Sequence, residues 1–168
     1  FAAFYVEMSD IIEQFGQEIK RSSSSVQQVY KDSIFQLMET TRASAYEPML
    51  GPNPSKLTKI LVSLKQYNAV QSAYFLDNQE LILADGTPFD DLVTSQAIGQ
   101  PLPETERFAI PLDRPFFEVI AAHLVYSFPF ENQGDPIGRL QVVINLDHVN
   151  AIAARLLTQA HMITAKSQ

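Results

Sequence analysis

Three histidines, His123, His148 and His161, are the first side chains to test for chemistry. His148 and His161 fall on one helical stretch but more than three turns apart, too far to share a metal ion, and no H-E-x-x-H spacing is present. Carboxylates at Asp77, Glu80, Asp85, Asp90 and Asp91 are scattered through turns without the close pairing that acid–base work needs. Asp90-Asp91 could touch calcium, yet no EF-hand spacing accompanies them. No P-loop, G-x-G-x-x-G or G-x-S-x-G is found, and the absence of cysteine removes thiolate chemistry, disulfides and Cys-based metal sites. No catalytic group, metal or cofactor is therefore predicted, and the chain is not expected to be an enzyme.

The chemistry that remains is recognition. Ser72 and Tyr74 share one face of an apolar strand-like run, and His123 and Val125 share one face of another, with Tyr126 pointing the opposite way. Arg107 lies in a proline-rich stretch, where its planar fork could hold an anion bidentately. Tyr74, Ser72, Arg107, His123 and Tyr126 are the candidate ligand-binding residues, set where a sheet meets a covering loop. Each also has an ordinary use: Tyr74 and Tyr126 as core aromatics with their hydroxyls at the edge, His123 as a satisfied sheet histidine, Arg107 as half of a surface ion pair.

These residues need a sheet to carry them, and residues 70–86 begin it. Val70 to Leu76 is a strand, Asp77-Asn78-Gln79 a turn, Leu81 to Ala84 a second strand, and Asp85-Gly86 closes the hairpin. Upstream, Met8, Ile12, Phe15, Ile19, Val26 and Val29 recur at near-heptad spacing and form a predicted dimer seam on a long helix. Ile34, Leu37, Met38 and Thr41 continue the stripe. The run Ser22–Ser25 marks a kink or a break into two helices. Unbroken, residues 4–46 would span roughly 65 Å, too long for one compact domain unless part of the helix projects or pairs with a second copy. Tyr46 to Pro54 reads as a loop, after which Asn53 or Ser55 caps a short helix bearing Leu57, Ile60, Leu61 and Leu64.

Residues 87–115 hold five prolines and form a loop, with Arg107–Ile110 as a short edge strand. Val119 to Phe130 reads as a strand, Glu131 to Pro136 as a turn, and Arg139 to Leu146 as a half-buried strand with Arg139, Gln141 and Asn145 on its outer face. Asp147 caps a last helix with Val149, Ile152, Ala153, Leu156, Ala160 and Ile163 on its apolar side. The fold class is α+β: a long N-terminal helix packed on an antiparallel sheet, then an exit helix. One structural domain is expected, in three parts: a signalling and dimerisation helix at 1–50, a core at 51–147 and the exit helix at 148–168.

The totals agree. A chain of 168 residues, 46% hydrophobic and 18% charged, buries roughly 70% of its unfolded surface and needs no staples. Its net charge of −7 disfavours nucleic acid and anionic membrane surfaces, which need clustered cations. Phe1 to Val6 is uniformly apolar, either the start of a helix or the interfacial end of a membrane span. The lack of cysteine is a slight push toward an oxidising compartment such as the periplasm.

The hairpin "YFLDNQELILADG", the variable loop and the closing pair "HLVYSFPF … IGRLQVVINLDHV" behind a long helix resemble the extracytoplasmic PAS-like sensor domains of bacterial receptors, of the single-Cache and CHASE type. The stretch from about Glu18 to Ala153 is also similar to the periplasmic part of the bacterial haemolysin-like membrane protein family, whose helix-loop-helix-hairpin order "YEPMLGPNPSKLTKILVSLKQYNAVQSAYFLDNQELILADG" shares. The resemblance implies a periplasmic domain of an inner-membrane protein, flanked by transmembrane helices and dimeric through its N-terminal helix. It would report a small ligand or envelope cue to a diguanylate cyclase or phosphodiesterase, a histidine kinase or a chemotaxis module. The Arg-Trp-Tyr set of amino-acid-binding double-Cache domains has no counterpart. Two other readings stand beside it: a self-filled structural, dimerisation or protein-interaction module, and a cytoplasmic PAS domain.

Overall fold

A computed structural model describes residues 28–29, 31–67, 69–87 and 96–147. The chain divides into two compact units, one formed by 1–34 with 147–168 and one by 35–146. Met8, Ile12, Phe15, Ile19 and Val26 of the predicted seam, the serine run, Asp90-Asp91, and the exit helix over 148–168 with His148 and His161 lie outside the described residues. Val29 is described and exposed. Among the described residues no helix is long and apolar enough to cross a membrane.

The first helix, α1, is helical over 31–50. Met38, Thr41, Ala45 and Met49 are its buried positions within the larger unit, spaced by three and four as one helical face requires. The loop predicted from Tyr46 is shorter than expected, because α1 continues through Pro48 to residue 50. Proline at 48 cannot donate to the Ser44 carbonyl, but the next residue, Met49, is only 1% exposed. Burial of that side chain holds the last turn against the local propensity, and the Pro48 carbonyl accepts the Asn53 amide at 3.0 Å. Of the two predicted caps for α2 (Pro54–Leu64), Asn53 is the one used: its side chain accepts the Lys56 amide at 3.2 Å, with Pro54 in the first turn. Leu57, Leu61 and Leu64 are buried and Ile60 is half-buried.

Five antiparallel strands follow: β1 (Val70–Asp77), β2 (Ile82–Ala84), β3 (Phe116–Ile120), β4 (His123–Asn132) and β5 (Asp135–Asn145), in the spatial order β2-β1-β5-β4-β3. The α+β class and the packing of helix on antiparallel sheet are as the sequence predicts. The strand count after the loop is not. Arg107–Ile110 forms no strand, and the single run read from Val119 to Phe130 is a hairpin. Ile120 pairs with His123 across Ala121-Ala122, with Ala121 at φ +54°. Two alanines carry none of the usual turn chemistry, so the bend is invisible in composition. The β4–β5 turn is also tighter than read: Asn132 pairs with Asp135 across Gln133-Gly134, both at positive φ as a two-residue turn needs.

Register sorts the side chains onto two faces. Ala73, Phe75, Leu124, Tyr126, Phe130, Leu140, Val142 and Ile144 share the helix side and are buried. Phe75 and Phe130 stand with ring centres 6.4 Å apart. The opposite face carries Ser72, Tyr74, Leu76, His123, Val125, Ser127, Arg139, Gln141 and Val143. Here β5 departs from expectation. It is the central strand, and Arg139 and Gln141 are 5% and 1% exposed rather than solvated. Two segments distant in sequence cover them, the β1–β2 turn over Arg139 and the stretch at Glu106 over Gln141.

Candidate functional site

That cover starts from β2. The Ile82 amide donates to the Gln100 carbonyl at 2.9 Å and the Gly99 amide to the Ile82 carbonyl at 2.8 Å, while Leu81 bridges to Pro101. Leu102 then packs on Leu76 and Ile82, with Tyr74, Ala97 and Ile98 against them. The following 3₁₀ turn, Glu104–Glu106, lowers Glu106 onto the sheet, leaving it 8% exposed.

Beneath the cover is a buried polar network. The Ser72 hydroxyl donates to Glu106 Oε2 at 2.7 Å, and Gln141 Nε2 donates to the Glu106 carbonyl at 2.7 Å. Arg139 Nη1 donates to Gln141 Oε1 at 2.7 Å and to Ser127 Oγ at 3.3 Å. Its Nε and Nη2 hold the Glu80 carboxylate at 2.8 and 2.7 Å. Glu80 comes from the β1–β2 turn, where Asp77 Oδ1 accepts the Gln79 and Leu81 amides and Glu80 has φ +64°. A pattern emerges: toward the cover, the sheet donates and the covering segments accept. Two carboxylates from two separate segments close onto one floor. Among the described residues no buried side-chain nitrogen or oxygen lacks a partner.

The predicted residues do not all meet here. Ser72 is in the network. Tyr74 lies on the same face, half-buried, and its phenol is pushed up by burial first and then by the Glu106 and Asp85 charges. His123 shares the face but stands at its β3 side, half-buried, edge-on to Phe108 with ring centres 6.2 Å apart. Arg107 is exposed and turned back on its own segment, its Nε donating to the Leu102 carbonyl at 2.7 Å. Tyr126 is on the helix face, so the five are not one cluster. Arg139, Gln141, Ser127 and Glu106 were not among the expected residues. Their signal was present: polar side chains at 139 and 141 pair with Pro129 and Ser127 in an otherwise apolar sheet centre.

On the other face, the Tyr126 hydroxyl donates to Glu39 Oε1 at 3.3 Å, and Arg42, paired with Glu39, stacks over Phe128 at 4.5 Å. Burial foremost, and then the Glu39 charge, push the Tyr126 phenol well above the ordinary tyrosine range. The unfolded phenol ionises near pH 10. Because the folded value is higher, its stabilising contribution is whole below about pH 10 and is lost as pH rises beyond it. Tyr126→Phe is expected to flatten the alkaline decline of urea midpoints between about pH 9 and 11. An unchanged slope would mean the hydroxyl sits in water.

A scan against protein-family models gives no match, and a search of curated proteins gives none either. Solved structures do match. An extracellular ligand-binding receptor from Desulfohalobium retbaense DSM5692 aligns with a TM-score of 0.57 at 19% identity, over 80% of this chain and 26% of that one. The chain thus spans about a quarter of that receptor's length. The sensor domain of the V. cholerae histidine kinase DctB aligns with a TM-score of 0.42 at 12% identity, over 73% of this chain and 58% of that one. At such identity the first likeness is one of fold.

Proposed function

We propose that the chain is an extracytoplasmic sensor domain of a bacterial membrane receptor, of the single-Cache or CHASE type, whose loop-side face responds to a small polar ligand or envelope cue and whose α1 passes the response on. The observation that carries this reading is the donor floor of Ser72, Arg139 and Gln141, closed by the Glu106 carboxylate on Ser72, the Glu80 carboxylate on Arg139 and the Glu106 carbonyl on Gln141. A ligand rich in acceptor groups has the chemistry to take the place of either carboxylate. The fold shared with an extracellular ligand-binding receptor supports the same reading.

The complete internal pairing of that network favours a second reading, an interaction module whose core is filled by its own side chains. Thermal-shift measurements with small carboxylates, amines and nucleobases separate the two. Sensing predicts that one chemical class raises the melting temperature by about 5 °C or more when present at about a hundred times its dissociation constant. That shift should vanish in Arg139→Leu. No shift from any class would overturn the ligand reading and leave the interaction module.

A further inference from the structure

The network and α1 lie on opposite faces of the sheet, one strand thickness apart, and at two places consecutive residues of one strand serve both. On β4, Ser127 accepts from Arg139 while its neighbour Tyr126 reaches through to Glu39 of α1. On β5, Arg139 holds Glu80 while its neighbour Gly138 meets α1. A Cβ built at Gly138 would lie 2.6 Å from Met49 Cε and would overlap the Leu76 carbonyl oxygen, so Met49 rests on bare backbone of β5. The strand is also irregular there, with a bulge opposite Phe130 and Glu131.

We propose that Arg139 is the relay residue of this domain: the grip of Glu80 on its guanidinium sets the β5 backbone at 138–139 and the β4 backbone at 126–127, and through them the seating of α1 at Met49 and Glu39. The guanidinium is fixed on three sides, by Glu80, Ser127 and Gln141. A close-packed interior has low compressibility, so strain on a group held this way is transmitted to the backbone that carries it. Glu80 is the natural input. Its side chain is 38% exposed, against 6% for that of Arg139, so it is the part of the ion pair that solvent, or a ligand, reaches. The nature of the cue rests on the sensor reading above; the mechanical link belongs to the ligand-free domain.

The test is NMR on the full chain, reading the methyls of its four methionines, with Met49 assigned through Met49→Leu, together with the Tyr126 ring and the backbone amides of Ser127 and Gln141. Glu80→Gln is expected to move the Met49 methyl and the Tyr126 ring resonances by more than a linewidth. Glu104→Gln, the same charge change at an exposed position of the cover, should leave both in place. If Glu80→Gln does not fold, Glu80→Asp, which keeps the charge and shortens the reach, is read in the same way. Movement confined to Ser127 and Gln141, or an equal movement of Met49 in Glu104→Gln, would overturn the relay. Since no ligand is used, failure to find one leaves a positive result standing, and a silent Met49 in a domain that does bind a ligand overturns the relay alone.

Discussion

Gly138→Ala is expected to lower stability by roughly 4 kcal/mol, read as a fall in the urea midpoint at constant slope. Two effects add. Gly138 has φ +149°, a conformation that costs a side-chain-bearing residue about 1–3 kcal/mol. The added methyl would also overlap the Leu76 carbonyl oxygen and crowd Met49 Cε, and overpacking of this kind costs about 1–3 kcal/mol. The carbonyl belongs to β1, the direct neighbour of β5, and cannot retreat without loosening the pairing of Asp77 with Gly138. A loss under about 1 kcal/mol would show that β1 and Met49 yield together. Gly134, in the open at the β4–β5 turn with φ +86°, would show the conformational cost without the crowding.

Glu80→Ala should cost about 3 kcal/mol, because it strips the carboxylate from a guanidinium that stays buried. The figure belongs at the low end of the range for broken buried pairs, since water reaches the Glu80 side and can partly replace it. Arg139→Leu alone removes the donor to Glu80, Ser127 and Gln141 at once. The double variant should fall short of the summed losses by about 1–2 kcal/mol, the signature of a direct pair. Strict additivity in chemical denaturation would mean that the two side chains act independently and that the β1–β2 turn is held by Asp77 alone.

The helix side of the sheet was largely legible from sequence, and the loop side was not. Phe75, Leu140, Val142 and Ile144 alternate with period two, and the structure buries all four. Such alternation reports which residues share a face but not what lies over it. Arg139 and Gln141 fall on the polar phase of β5, which reads as solvent-facing, although Glu80 of the β1–β2 turn closes on the first and Glu106 of the covering segment on the second. The seal over Gln141 depends on pairing between β2 and residues 99–101, a contact no local pattern encodes. Tyr126 shows the complementary case: its parity relative to His123 is readable from the alternation, but its separation from Ser72 and Tyr74 is set by the register of β1 and β4 on β5, which the sequence grouping of the five residues does not contain. Pro48 and Ala121 mark two further departures from the sequence reading. In the first, packing of Met49 carried a helix through a residue that normally ends one. In the second, a bend formed without any residue that advertises a bend.

The position of β1 beside β5 has a consequence for how the chain reaches this state. The β1–β2 hairpin and the β3–β4–β5 meander each close through short turns, as local and therefore rapid events. Joining them is different: Phe75 and Leu140 become sheet neighbours across the whole covering segment and three strands of intervening chain. Non-local pairing of that kind slows folding. Until it happens, β1 and β5 each present an open apolar edge to other chains, so refolding yield should fall with protein concentration more steeply than the stability of the finished sheet would suggest.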